Sequence, residues 1–432
     1  MQNLQRGFAR ADLIDGISLR REHVGQGSRE RGIVFDDQNA GHDDCRENER
    51  LTKGNYFIWA PDKGEEMQDH LPQVRARSLL AIAILLAIIF AGAAIVVAQT
   101  RDLRSIAMRE GVLVIYSATD ENEASDLLRA FSARYPFIKV DYRSLSARDV
   151  YDWFRREADG GRNVADVVIN SAMDLQIKLV NDRYAQAYRS TESDHLPDWA
   201  VWKDQAYAVS AEPIVMGYNP RLLTRDAVPT SHDELATILH RTPALAGRIG
   251  SYDPERSPTG YLYVSQDIQV DSDAWDLIAA VGRARPQLFQ SSKDMIEQVS
   301  SAKLSLAYNI IGSYAFERAA RDPNFKVVVP RDYVLMMSRV ALIAREAPHP
   351  ASAKLFLDFM LSREGQSLLE KHHMSPVRLD MAPENKVLAG TNVREVRVGP
   401  ALMAAIDTMT FERFVRKWRE AIGESAPADN QI

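Results

Sequence analysis

The sequence predicts an α/β protein of two lobes, preceded by one N-terminal hydrophobic helix. Three observations carry this expectation. From residue 110 onward, short apolar runs closed by small polar residues alternate with amphipathic stretches, and such a βαβαβα rhythm implies a parallel sheet with helices on both faces. Tyr207 to Asn219 (YAVSAEPIVMGYN) is extended and apolar with a central Pro213, which suits a strand running between lobes. Ser78 to Ala98 reads SLLAIAILLAIIFAGAAIVVA, without a charged residue and about long enough to cross a bilayer.

Residues 1–66 are polar, charge-mixed and without periodic apolar pattern, so they are expected to stay disordered. Met67 stands where an ordinary signal peptide would begin, and translation is expected to start there, with the upstream part an over-extended reading frame. Arg75 and Arg77 supply the basic flank of the apolar run. Two readings of 67–98 stay open. It is either a signal peptide cleaved after Val96-Val97-Ala98 or an uncleaved signal anchor tethering the chain to the inner membrane.

Gly111 to Ser117 (GVLVIYS) then reads as a buried strand. The acidic start of ATDENEASDLLRAFSARYP favours a helix, with Leu127, Leu128 and Phe131 on its apolar face and Pro136 stopping it. Ile138 to Tyr142 is a second strand and Asp149 to Ala158 a second helix, broken by Gly160-Gly161. Ala165 to Asn170 is a third strand, leading into the helical MDLQIKLVNDRY. Beyond Asn219 come turn signals at Asp253-Pro254 and Ser257-Pro258-Thr259-Gly260, and a strand from Leu304 to Asn309. The helix GSYAFERAARD, a strand at Lys326 to Val329 and a strand pattern from Val334 to Ala344 follow. The last strong signal is the periodic helix or helix pair ASAKLFLDFMLSREGQSLLEKH.

Composition narrows function. A hydrophobic share of 46% with 26% charged residues is that of an ordinary globular protein. The net charge of -6 argues against nucleic acid as a partner. Cys45 is the only cysteine, so neither an intrachain disulfide nor a cysteine zinc site can form. No nucleophile-elbow, zinc-protease, P-loop or dinucleotide pattern occurs in a supporting context, so no enzyme activity is expected.

Ligands of parallel α/β sheets bind beyond the carboxyl ends of the strands, and anions are held where backbone N–H groups converge at helix starts. Four segments fit: Ser117–Thr119, Ser171–Ala172, Ser257–Gly260 with Thr259, and Gly312-Ser313-Tyr314. Ser and Thr at such places more often merely cap helices, but four together favour a shared binding role. Tyr308, Asn309 and Tyr314 are candidates to line a cleft, against half-buried packing. Asp120, Glu121 and Glu123 are read as partners of their helix dipole. His372 and His373 are adjacent and cannot share a helix face as metal ligands, so neither a metal nor a cofactor is expected.

VLVIYSATDENEASDLLRAFSARYPFIKVDY, ADVVINSAMDLQIKLVNDRYA and KLFLDFMLSREGQSLLEKHHMSPVR resemble the family 1 extracellular solute-binding proteins of ABC transporters. The likeness is strongest to the branch of ferric-iron-binding and phosphoglycerate transport regulatory proteins, and it spans about residues 110–420. It implies a type II periplasmic-binding-protein fold, with one lobe from 110–212 plus 330–372 and the other from 213–329 plus 373–424. It further implies a monomer in the periplasm that closes on a solute by hinge motion. Iron-binding members carry two adjacent tyrosines where this chain has Ile310-Ile311-Gly312-Ser313-Tyr314, leaving one phenolate for a metal that wants several anionic oxygens. A small organic anion, such as a phosphorylated metabolite or phosphonate, is therefore expected ahead of ferric iron. The partner would be an ABC permease or, as in the regulatory relatives, a membrane sensor kinase.

Overall fold

Gly111, at φ 67°, turns the chain out of helix α1 (residues 102–110) into the first strand; that left-handed conformation costs glycine little. This computed structural model describes residues 102–382, 388 and 390–424. The stretch 1–66 and the apolar segment Ser78–Ala98 lie outside the described residues. Among the described residues no helix is long and apolar enough to cross a membrane.

The first half is built as the sequence rhythm predicts. Strand β1 (Val112–Ser117) leads to helix α2 (Glu121–Arg134), β2 (Lys139–Ser144), α3 (Ala147–Asp159), β3 (Val167–Asn170) and α4 (Met173–Asn181). Helix α2 buries Ala124, Leu127 and Phe131 and ends at Arg134, two residues before Pro136, as expected. Helix α3 starts where the Ser146 hydroxyl accepts from the Asp149 N–H. A hairpin of β4 (Val201–Trp202) and β5 (Ala206–Ala208) follows.

The chain then crosses into β6 (Glu212–Tyr218), α5 (His232–Arg241), β7 (Ile249–Tyr252), α6 (Pro258–Val270), α7 (Ala274–Arg283), β8 (Gln287–Phe289) and α8 (Ser292–Ser300). Next come β9 (Leu306–Ile311), α9 (Gly312–Arg321), β10 (Lys326–Val328), β11 (Val334–Met337) and β12 (Val340–Ile343). Helices α10 (Pro350–Leu361) and α11 (Arg363–Glu370), strand β13 (Val393–Glu395) and helix α12 (Thr408–Ile422) complete it.

These strands form two sheets. One has the order β2-β1-β3-β12-β5-β4; the other runs β13-β11-β6-β9-β7-β8, with β10 also paired to β6. β1 is parallel to β2 and β3, but β12 lies antiparallel to both β3 and β5. The first sheet is thus mixed, not wholly parallel.

The extended stretch Tyr207 to Asn219 is divided between the sheets. β5 ends in the first sheet, Val209-Ser210-Ala211 cross over, and β6 begins in the second. The expected single strand Val334 to Ala344 is likewise two strands in different sheets, because Ser338-Arg339 interrupts it. The two crossings touch: Val209 N–H donates to the Arg339 carbonyl at 2.9 Å, and Arg339 N–H donates to Ser210 Oγ at 3.0 Å. A third segment joins them where Ala211 bridges Ser375.

Candidate functional site

Six helix starts meet in one place. A cavity of about 520 Å³ is lined by Ala118 and Asp120 ahead of α2, Ser146 and Ala147 at α3, and Ser171 ahead of α4. Thr259 of α6, Ser292 and Lys293 of α8, and Tyr314 of α9 close the other side. The strand ends that feed those helices also reach it, at Ser144, Tyr252 and Ile311. The α/β units of both sheets thus aim their helix N-termini, the positive ends of their dipoles, at the same volume.

Contacts across this cavity join the two sheets' halves. Ser171 Oγ lies 3.2 Å from Thr259 Oγ1. Lys293 Nζ is 3.9 Å from Asp120 Oδ2. The Arg148 guanidinium donates to the Arg256 carbonyl at 3.2 Å. Within the far wall, Tyr252 Oη and Ser292 Oγ are 2.7 Å apart, and Ser292 Oγ accepts from Ile311 N–H at 2.9 Å.

A second cavity of about 540 Å³ adjoins the first and shares Asp120, Lys293 and Tyr314 with it. Its remaining lining is Asn122, Glu123, Ile296, Glu317, Arg318, Arg321 and His372.

Beneath both cavities sits a buried ion pair at the strand crossings. Arg339 Nε donates to Glu212 Oε1 at 2.9 Å, with both side chains at most 2% exposed. Arg339 Nη1 donates to Thr119 Oγ1 at 2.9 Å, and the guanidinium lies 5.2 Å from the Tyr314 ring centre. Ser210 Oγ donates to Glu212 Oε1 at 2.7 Å, and the Ser313 hydroxyl donates to Glu212 Oε2. Burial opposes the charge on Arg339, but Glu212, Tyr314 and Glu123 together outweigh it and hold the guanidinium protonated. Burial raises the Tyr314 hydroxyl well above the ordinary phenol range, against the pull of Arg339.

Of the residues singled out from sequence as ligand contacts, Ser171, Thr259 and Tyr314, with Ala118 of the Ser117–Thr119 segment, line the first cavity. The others do not, and each has a local reason. Ser117 is fully buried and its Oγ accepts from Thr119 N–H at 3.0 Å. Thr119 is taken by Arg339, and Ser313 by Glu212. Ala172 N–H donates to Asn170 Oδ1, and Gly260 N–H to the capping Ser257 Oγ. A Cβ on Gly260 would lie 2.3 Å from Tyr252 Cβ, so this glycine permits close packing.

The expectation that Tyr308 and Asn309 line the cleft is corrected. β9 runs on to Ile311, which leaves both residues inside the strand, and both donate at 2.7 Å to the buried Asp267. His372 and His373 turn to different carboxylates, Asp126 at 3.4 Å and Glu317 at 3.6 Å. Sequence reasoning missed Asp120, Tyr252, Lys293 and the pair Arg339–Glu212. One available signal was Ser291-Ser292-Lys293-Asp294 after a short apolar run, since Ser three residues before an acid marks a helix start. Ser291 does cap α8, accepting from Asp294 N–H.

A family model described as bacterial extracellular solute-binding protein matches residues 162–396. The chain is 36% identical to the substrate binding protein of an ABC transporter from Agrobacterium tumefaciens, with a TM-score of 0.69 over 72% of this chain and 94% of that one. It also superposes on iron-bound HitA from Pseudomonas aeruginosa, at 19% identity and a TM-score of 0.59, over 72% of this chain and 99% of that one. AfuA from Actinobacillus pleuropneumoniae, solved with exogenous fructose-6-phosphate bound, is similar at 20% identity and a TM-score of 0.59, over 73% and 99%. At such identities the last two likenesses concern the fold alone.

Proposed function

The chain belongs to the bacterial extracellular solute-binding proteins, and from that premise we propose that it binds a small organic anion of the phosphorylated-metabolite or phosphonate class. It is a binding protein, not an enzyme. On this reading it works in the periplasm and hands its ligand to an ABC permease in the inner membrane.

The observation that carries the ligand class is the convergence of six helix starts, with Lys293 and several hydroxyls, on one cavity. Each helix start acts as roughly half a positive charge, worth about 0.3–1 kcal/mol to an anion nearby and more when partly buried. Asp120 and Asp294 in the same lining disfavour anions that lack hydroxyl or ammonium groups to meet them. Ferric iron as cargo is less well served. Tyr252 and Tyr314 both face the cavity, yet burial pushes both phenols well above their ordinary value, whereas ferric iron calls for anionic oxygens.

Thermal unfolding of the purified chain tests the reading. Glycerol phosphate at 100 times its dissociation constant should stabilise the fold by about 2.7 kcal/mol, and Lys293→Met should weaken that binding about tenfold by removing a charge-assisted contact. A shift produced by ferric ion and by no organic anion refutes it.

A further inference from the structure

The second cavity is walled in part by a carboxylate with one buried oxygen that has no hydrogen-bond partner. The cavity's arginines and lysine are partnered: Arg318 donates to Glu297 at 2.8 Å, Arg321 to Glu317, and Lys293 lies 3.9 Å from Asp120, while His372 Nε2, 3.4 Å from Asp126, makes no hydrogen bond. Glu123 is that carboxylate. Its Oε2 is buried without a hydrogen-bond partner, 4.0 Å from the Arg339 guanidinium, and the residue, its side chain 13% exposed, is part of the cavity lining. Arg339 is engaged elsewhere, by Glu212 and Thr119. A half-satisfied buried carboxylate is costly, and a cavity beside it gives a ligand the chance to supply what is missing.

We propose that Glu123 is a specificity-determining contact, accepting from a hydrogen-bond donor on the end of the ligand remote from its anionic group. The inference rests on the organic-anion reading and narrows it. The anion sits among the helix starts of the first cavity, and the chain of the ligand passes Tyr314 and the Asp120–Lys293 pair. Its far end then presents a hydroxyl or ammonium to Glu123. The continuity of the two cavities through Asp120, Lys293 and Tyr314 gives that path. Burial also raises the Glu123 carboxyl to about 7, against Arg339 and the Tyr314 hydroxyl and with Asp120 and Glu212 adding to the rise. A donor supplied by the ligand offsets that desolvation.

Three probes of one anionic head separate the terms: ethyl phosphate with no donor, glycerol phosphate with hydroxyls, and phosphoethanolamine with an ammonium. Calorimetric titration of the full chain should give the two donor-bearing probes about tenfold tighter binding than ethyl phosphate, the size expected when one buried polar group is left unpaired. Glu123→Leu should bring the three affinities together. Glu123→Gln, a smaller change that keeps an acceptor oxygen, should retain the hydroxyl preference and lose the ammonium preference, which identifies the ammonium as the charged source. Equal binding of all three probes by the parent overturns the inference, as does a preference that survives Glu123→Leu. If ethyl phosphate binds and Glu123 proves indifferent, only this inference falls. If no probe binds, the organic-anion reading falls and takes this one with it.

Discussion

Two buried carboxylates in this molecule are kept in opposite ways. Glu212 and Asp267 are at most 1% exposed. Glu212 is met by a guanidinium and two serine hydroxyls. Asp267 receives only neutral donors: Tyr308 and Asn309 at 2.7 Å each and Tyr333 at 2.9 Å. The partners of Asp267 all belong to the second sheet or its flanks, so nothing in that cluster depends on the first half. Arg339, by contrast, lies on one crossing and Ser210 on the other, while Thr119 belongs to the first sheet's side and Ser313 to the second's. A carboxylate inside one rigid unit can be satisfied by fixed dipoles. At a junction the pairing reads the relation of the two halves, and a buried ion pair is better evidence for such specificity than for stability.

That contrast can be broken at several points. The largest effect is expected from Arg339→Met, which leaves Glu212 buried without its cation and should cost about 3–5 kcal/mol, read as a lowered urea midpoint. Replacing Glu212 as well, by Met, should recover much of that loss.

Asp267→Asn should cost less, about 2 kcal/mol, since one acceptor oxygen remains for three donors. Its pH signature sharpens the comparison. Burial holds the Asp267 carboxyl above its ordinary 3.8, so the folded state binds the proton more tightly than the unfolded. That contribution is full below 3.8 and is lost as pH rises through the raised folded value. Urea titrations across acid pH should show a steeper slope in the parent than in Asp267→Asn, the remainder coming from other buried carboxyls such as Asp174 and Asp358.

The smallest effect belongs to Glu123→Gln. Here the window runs from about 4.5 to about 7, with stability falling as pH rises through it, for the same reason of sign. The variant should flatten that slope and, above pH 7, match or exceed the parent, read as the difference in urea midpoint across the window.

The sequence foretold most of the elements and only part of the site, for physical reasons that particular residues make plain. β1, β2 and β3 were legible because apolar runs of strand length stand against helices with a 3.6-residue face. Ser171 was expected in a ligand site by the rule that ligand loops follow strand ends, and Tyr314 by its place at a helix start; both line the first cavity. Tyr308 and Asn309 failed by the strand-end rule, since their strand lies two residues further along the chain than its pattern suggests, and Asn309 adopts φ 59° within it. Arg339 was invisible because a charged residue between two apolar runs looks like a solvated turn. Its partner Glu212 is distant in sequence, and only the crossing of two strands brings them together. The insertion of β12 between β3 and β5 is non-local in the same way.

That insertion governs the order in which the molecule is assembled. β3 and β5 cannot close their sheet until β12 has been synthesised, and by then every strand from β6 to β11 has already emerged. Until that moment the first sheet offers two unpaired inner edges, open to wrong partners. Non-local pairing of this kind slows folding. A delay of this sort gives a chain time to be moved while still unfolded, and any truncation ahead of Val340 should yield an aggregating fragment instead of half a binding protein.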